Sequence, residues 1–359
     1  MRMASLSMAQ PGCGVIVGVD THGDAHVAAA FTSDLGRPLG HLTIATTPAG
    51  YRRLLEWARD LGREPRFGVE GTGSYGAGLA RFLMAAGCTV IEVNRPNRQT
   101  RYARGKSDPV DAEAAARAVL SGEATGLAKV DTDSIGMIRA LRVARRSAMK
   151  MRTQSFQQMK ALIVTAPAEL REQVRSLSHD ALVDTAACLR PGPVTSVGAA
   201  VKLALKCLAQ RHQLLTAELA TLDRDLDRLV AAAAPTLCAL KGVGTDVAGA
   251  VLVAAGDNPE RLRSEGAFAN LCGAAPLPAS SGKTTGRHRL NRGGDRHANC
   301  ALWRVVIVRL ATHQPTKNYM ARRTQEGMSK PEIIRCLKRY VAREIYRELI
   351  PRAALAAAA

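Results

Sequence analysis

The chain has 359 residues, a formal net charge of +19 and a pI near 10.2, a cationic excess that fits a polyanionic partner, either nucleic acid or an anionic membrane surface. No apolar run approaches the roughly 18 residues of a membrane span, and residues 1–14 lack the apolar core of a secretion signal. Nucleic acid is therefore the expected partner, the cytoplasm the expected location, and no membrane contact is expected. The eight cysteines are scattered without Cys-x-x-Cys spacing, so they read as reduced thiols rather than a zinc site or a disulfide frame. Aromatic residues make up only 4 % against 47 % hydrophobic residues overall, so Ala, Val and Leu must carry the packing.

Residues 14–126 read as an α/β domain. Strands are predicted over 15–19, 26–31 and 41–46, and three strands in succession indicate an antiparallel meander. A helix over 48–61 follows, then a strand ending in Glu70, a helix over 75–86 closed by Gly87, and a buried strand over 89–93. Arg95, Arg98, Arg101 and Arg104 then recur every third residue and lead to Lys106, a spacing suited to a phosphate track as well as to a solvated face.

The stretch Lys106-Ser107-Asp108-Pro109-Val110-Asp111 organises this domain. Pro109 suits the first turn of a helix, and residues i and i+3 share a helix face, so Asp108 and Asp111 are expected to point the same way. Val15 to Val19 is an apolar run ending in Asp20, and Phe67 to Val69 ends in Glu70 with Gly71-Thr72-Gly73 directly after it. Functional groups gather at strand ends in α/β sheets. Asp20, Glu70, Asp108 and Asp111 are thus expected at one sheet edge. Converging carboxylates repel one another unless a cation lies between them, which implies a hard divalent metal, Mg²⁺ or Mn²⁺.

Residues 127–235 read as helical. Val201, Leu205, Leu208, His212, Leu215, Leu219, Leu222, Leu226 and Leu229 alternate in steps of four and three, the spacing of a coiled-coil seam. His212 is its one polar member and reads as a register device. An earlier helix over 134–164 carries Arg139, Arg142, Arg145, Arg146, Lys150 and Arg152. The seam could pack on a second protomer or on this helix of the same chain.

Residues 236–350 read as a second functional, mainly helical unit. Leu240-Lys241-Gly242-Val243-Gly244 before a small-residue helix looks like a helix-hairpin-helix. The backbone amides of the turn at Gly242 and Gly244 can hold a DNA phosphate. A small, polar and basic segment follows, with Ser280, Ser281, Lys283, Arg287, Arg289 and Arg292. Such a loop within a helical domain is usually functional or disordered. Ser329-Lys330-Pro331-Glu332 is a capping box that opens a last helix with Ile334, Leu337, Val341 and Ile345 as its apolar stripe. The alanine-rich tail, 351–359, is expected to be disordered.

The order of strands and helices in the first half resembles the RuvC and RNase H fold. The two halves together resemble the insertion-sequence-110 family of transposases, the bridge-RNA-guided recombinases. The markers are Val19-Asp20-Thr21-His22, Val69-Glu70-Gly71, Ser107-Asp108-Pro109-Val110-Asp111, Gly242-Val243-Gly244, Gly273-Ala274-Ala275-Pro276, Ser281-Gly282 and Arg292-Gly293-Gly294-Asp295. Many members carry Lys at the third position after the first Asp, where this chain has Gly23.

The resemblance implies a RuvC-like domain with an Asp-Glu-Asp-Asp tetrad, a coiled coil, and a transposase domain whose nucleophilic serine maps onto Ser281, with Ser280 adjacent. It further implies donor and target double-stranded DNA, a structured guide RNA, and a homo-oligomer, dimer or tetramer, in which tetrad and serine come from different protomers. The rival function is a RuvC-like metal-dependent nuclease that only hydrolyses DNA and does not need Ser281.

Overall fold

Strand β1, Gly14–Thr21, is the element on which the first unit is built. In the computed structural model, which describes residues 14–93, 107–131, 134–279, 288–289, 291 and 293–350, β1 is central in a five-stranded sheet of order β3-β2-β1-β4-β5. Strands β2, Ala25–Thr32, and β3, Pro38–Ala45, form the antiparallel meander on one side. Strands β4, Arg63–Glu70, and β5, Val90–Val93, run parallel to β1 on the other. The parallel pairings need crossovers, which helices α1, Pro48–Leu61, and α2, Ala77–Ala85, supply.

The two-residue period of a strand sorts its side chains onto opposite faces. Val15, Val17 and Val19 of β1 pack with Leu54, Ala58 and Leu79 of α1 and α2. Ile16 faces the other way and joins Phe31, Ile91, Ala112 and Ala116. That second layer is helix α3, Asp108–Leu120. Its facing surface is alanine because β1 and β4 present Gly18 and Gly68 beneath it. A Cβ on Gly18 would lie 2.1 Å from the Ala112 carbonyl oxygen and 2.2 Å from the Ala116 nitrogen, so the helix backbone rests directly on the strand. Residues Gly256–Arg261 also belong to this unit. The Asn258 side chain accepts from the Val130 amide at 2.9 Å and donates to the Ala128 carbonyl at 3.0 Å.

The second unit comprises Asp133–Ala255 and Leu262–Ala359. Helices α4, Ser134–Val164, and α7, Val197–Ala233, lie against each other. Ile138 shares a core with Leu226 and Val230, Ala148 with Leu215 and Leu219, and Met159 with Leu205 and Ala209. Partners later in one helix are earlier in the other, so the pair is antiparallel. The leucine seam is therefore covered by α4 of the same chain. His212 is buried within this chain too, its ring 5.2 Å from His179 and 6.1 Å from Phe156. Helices α5, Ala168–Val174, and α6, His179–Ala187, join the end of the hairpin where Met159 and Leu205 meet.

After the hairpin come α8, Pro235–Cys238, and α9, Thr245–Ala255, flanking the Gly242–Gly244 turn, then α10, Glu265–Leu271. Helices α11, Arg296–Thr312, α12, Gln314–Gln325, and α13, Lys330–Leu349, complete this unit. The polar segment before α11 is not wholly loop: Leu277 and Pro278 of β6 pair antiparallel with Arg289 and His288 of β7. The stripe of α13 is buried as expected at Leu337, Val341 and Ile345. Ile333, Leu337, Val341 and Ile345 are buried together with Lys338, while Ile334 is only partly covered. No described helix is long and apolar enough to cross a membrane.

Candidate functional site

The parity that places Ile16 and Gly18 against α3 places Asp20 on the same face. Gly68 and Glu70 follow the same rule on β4. Gly18 is paired with Gly68 and Val19 with Val69, so Asp20 and Glu70 follow side by side at the carboxyl ends of two parallel strands. The Thr21 hydroxyl donates to the Glu70 carbonyl at 2.9 Å and ties the two ends together. Helix α3 begins over these ends, with Asp108 and Asp111 in its first turn. Asp20, Glu70 and Asp111 are each less than 10 % exposed. Three carboxyl groups are thus buried at one end of the sheet, and buried carboxylates are paired, hydrogen-bonded or bound to a metal.

Asp20 and Asp108 are brought together around a residue the sequence reading left without a role. His22 Nε2 lies 3.0 Å from Asp20 Oδ2 and 3.4 Å from Asp108 Oδ1. Ligand atoms of these three residues all lie within 4.8 Å of one another. Among the described residues Glu70 and Asp111 are not part of that closest group. A signal for His22 did exist: it stands two residues after Asp20, the spacing that returns to the same strand face. Two carboxylates and an imidazole, with further buried carboxyl groups beside them, suit a divalent cation, so the residues present fit a metal.

His26 holds the turn that carries His22. It is fully buried, its ring lies parallel to Tyr51 at 5.9 Å, and its Nδ1 accepts from the His22 backbone N–H at 3.4 Å. That bond leaves the proton of a neutral ring on Nε2. Burial lowers the pKa of His26, and the nearby His22 adds to the effect, so the ring serves as an uncharged support.

In the second unit, Gly242 has φ +81°, a left-handed conformation that suits glycine, and a side chain on Gly244 would meet open space. The turn before α9 is thus open at Gly244. Arg289 of β7 is exposed and lines a cavity of about 670 Å³. Arg95, Arg98, Arg101, Arg104, Lys106, Ser280, Ser281, Lys283, Arg287 and Arg292 lie outside the described residues.

The basic stripe of α4 is not simply a solvated face. Arg142 is 8 % exposed and donates to the Asp246 carboxylate at 2.7 Å and to its carbonyl at 2.6 Å. Asp246, in the first turn of α9, also contacts Arg304 and lies 3.6 Å from Arg145. Burial pushes the Asp246 carboxyl up, but Arg142, Arg304 and Arg145 outweigh it and hold the carboxyl below its usual 3.8. A carboxyl depressed in the folded state stabilises it above the unfolded pKa, and that contribution is lost as pH falls through the lower folded value. Asp246→Asn is therefore expected to lower the melting temperature at pH 7. The gap from the unsubstituted protein should be unchanged down to about pH 4 and close below it. A constant gap down to pH 2 would contradict the charge account.

Two family models match the chain. The Asp-Glu-Asp-Asp transposase model of the IS110 family, described as Transposase, matches residues 17–166 and so takes in Asp20, Glu70, Asp108 and Asp111. The model described as Transposase IS116/IS110/IS902 family matches residues 234–321, from the helix before the Gly242 turn into α12. No curated protein matches the chain. Each half carries its own family match, the first over the sheet with its strand-end acids and the second over the helical unit, and the chain belongs to the IS110 family of transposases, enzymes that act on DNA.

Proposed function

We propose that this transposase cleaves and rejoins DNA strands through a serine nucleophile, with the strand-end acids as its metal site and a structured RNA as its guide. The observation that carries this reading is the placement of buried Asp20 and Glu70 at adjacent strand ends beneath Asp108 and Asp111. The strand order, with an antiparallel meander and two parallel strands beside β1, supports the RuvC-like reading of residues 14–126. In this reading Asp20, Glu70, Asp108 and Asp111 hold Mg²⁺ or Mn²⁺, which when bound neutralises charge building on the phosphate under attack.

Residues 236–350 supply the nucleophile. A serine hydroxyl is weak at neutral pH and needs help to lose its proton. In the proposed step the Ser281 oxygen forms a bond to phosphorus while one backbone P–O bond breaks. The serine proton leaves, and the departing strand end takes one up as a hydroxyl. The phosphoserine ester conserves the energy of the broken bond, so a hydroxyl of another strand can reverse the step without ATP. Lys283, Arg287, Arg289 and Arg292 neutralise the phosphates nearby, and Gly242 and Gly244 hold another through their amides. Arg95, Arg98, Arg101, Arg104 and Lys106 track a backbone towards the acids.

Donor and target DNA are the substrates. With the leucine seam covered by α4, assembly into a dimer or tetramer uses other surfaces. The experiment incubates the full chain with Mg²⁺, labelled DNA and co-purified RNA, then denatures it. A covalent DNA–protein adduct is expected, absent in Ser281→Ala and kept in Ser280→Ala. Wild-type cleavage by Ser281→Ala would establish the hydrolytic nuclease instead.

A further inference from the structure

Apart from the acids, the second unit contains a cavity of about 670 Å³ between the β6–β7 hairpin and helices α12 and α13, a volume in the range of small-ligand sites. Its wall is cationic and aromatic. Arg289, Arg335, Lys338 and Arg339 line it with Tyr319 and Tyr340, and Glu332 is its one acid among the described residues. Much of this charge is already engaged. Glu265 pairs with Arg339 at 2.8 Å and Arg343 at 2.9 Å, and Glu332 accepts from Ser329 in the helix cap while lying 3.9 Å from Arg335.

Lys338 is different. It is 5 % exposed, yet its ammonium donates to Asn299 Oδ1 at 3.0 Å, a neutral amide. Among the described residues no carboxylate lies within ion-pair distance of it. Buried charges are normally paired with an opposite charge, so an anion is the missing partner. Asn299 cannot turn away to supply anything else, because its amide nitrogen is committed to the carbonyls of Cys272 and Gly273 at 2.8 and 2.9 Å. Among the described residues, Arg323 Nε and Arg339 Nη1 on the same wall are buried without a hydrogen-bond partner.

The rings add a second chemistry. Tyr319 and Tyr340 meet edge to face at 5.6 Å, with the Arg322 guanidinium over Tyr319 and that of Arg343 over Tyr340. Tyr340 remains 48 % exposed although Arg343 lies over its ring, so part of its aromatic surface is open in the cavity that Lys338 also lines. Burial and the neighbouring Cys336 push the Tyr319 phenol to about 12, which keeps it neutral. A phosphate attached to a planar base satisfies both features at once, and a base still paired within a duplex offers no free face for stacking.

We propose that this cavity binds one unpaired nucleotide of a nucleic-acid strand, its phosphate meeting Lys338 and Arg289 and its base stacking on Tyr340. The proposal rests on the reading of the chain as a strand-transfer enzyme and gives that reaction a pocket for a nucleotide drawn out of its helix.

The test uses the full chain and short oligonucleotides carrying 2-aminopurine, as single-stranded DNA, single-stranded RNA and duplex, at several salt concentrations. Fluorescence quenching is expected for an unpaired strand and not for the duplex. Tyr340→Ala should remove the quenching and weaken single-strand binding about tenfold without changing its salt dependence. Arg289→Ala and Lys338→Met should each flatten the slope of log affinity against log salt by about 0.7. Should Lys338→Met not fold, as judged by circular dichroism, the exposed Tyr340 and Arg289 carry the test. Preference for DNA assigns the pocket to a substrate strand and preference for RNA to a guide strand, and both support it. Equal quenching by duplex, or unchanged binding in Tyr340→Ala and Arg289→Ala, overturns it. Quenching should persist in Ser281→Ala, where no adduct forms. An adduct without quenching removes the pocket alone, and quenching without an adduct removes the serine chemistry alone.

Discussion

Replacing Asp20 with asparagine is expected to abolish strand cleavage, by more than about 100-fold, while leaving the fold intact. Outer partners of metal ligands typically cost 10- to 100-fold when removed, and Asp20 is proposed as a ligand itself. It lies at the end of a central strand, under 10 % exposed, with a carboxylate oxygen 3.0 Å from His22 Nε2. Asparagine keeps the shape but brings a neutral amide with one acceptor oxygen, so a cation loses a full charge of stabilisation. The side chain lies at the sheet edge rather than in the valine layer, which is why folding should survive. Calorimetric titration with Mn²⁺ should show weakened binding, and circular dichroism should match the unsubstituted protein. Undiminished cleavage in Asp20→Asn would remove the acids from the chemistry.

The second large effect comes from a residue with no functional group. Gly18→Ala is expected to destabilise the protein by about 3 kcal/mol, at the upper end of overpacking substitutions. The added methyl would stand 2.1 Å from the Ala112 carbonyl oxygen and 2.2 Å from the Ala116 nitrogen. Both are helix backbone and cannot rotate aside, so α3 must lift from the sheet. Lifting α3 carries Asp108 and Asp111 away from Asp20, so metal affinity should fall with stability. Gly126→Ala is the control, since a methyl there meets open space, and it should stay within about 0.5 kcal/mol. Equal melting of Gly18→Ala and Gly126→Ala would show that α3 does not need the bare strand.

Much of the first unit was legible because its signals are local. Val15, Val17 and Val19 alternate with Ile16, Gly18 and Asp20, and that period follows from strand geometry alone. The parallel strand ending in Glu70 was marked by its apolar run and by Gly71. In contrast, no periodicity could show which helix covers the leucine seam. Leu205, Leu215 and Leu226 need an apolar partner, and α4 and a second protomer offer one equally well to a reader of sequence. In the folded chain Met159, Ala148 and Ile138 occupy the seam. A partner already tethered to the same chain competes at high effective concentration.

The sequence by itself determined the α/β and helical halves, the strand-end acids Asp20 and Glu70, the pairing of Asp108 with Asp111 in one helix start, and the basic character that fits nucleic acid. Each rests on spacing within a few residues, where backbone geometry converts position into direction. Only the tertiary structure decided that His22 bridges Asp20 and Asp108, that Arg142 is buried against Asp246, and that Lys338 is buried against Asn299 with no carboxylate partner among the described residues. The packing of separate elements brings Asp108 to His22, Asn299 to Lys338 and Asp246 to Arg142, the last across 104 positions. Burial, which sets the cost of leaving such a charge uncompensated, exists only once the elements have packed.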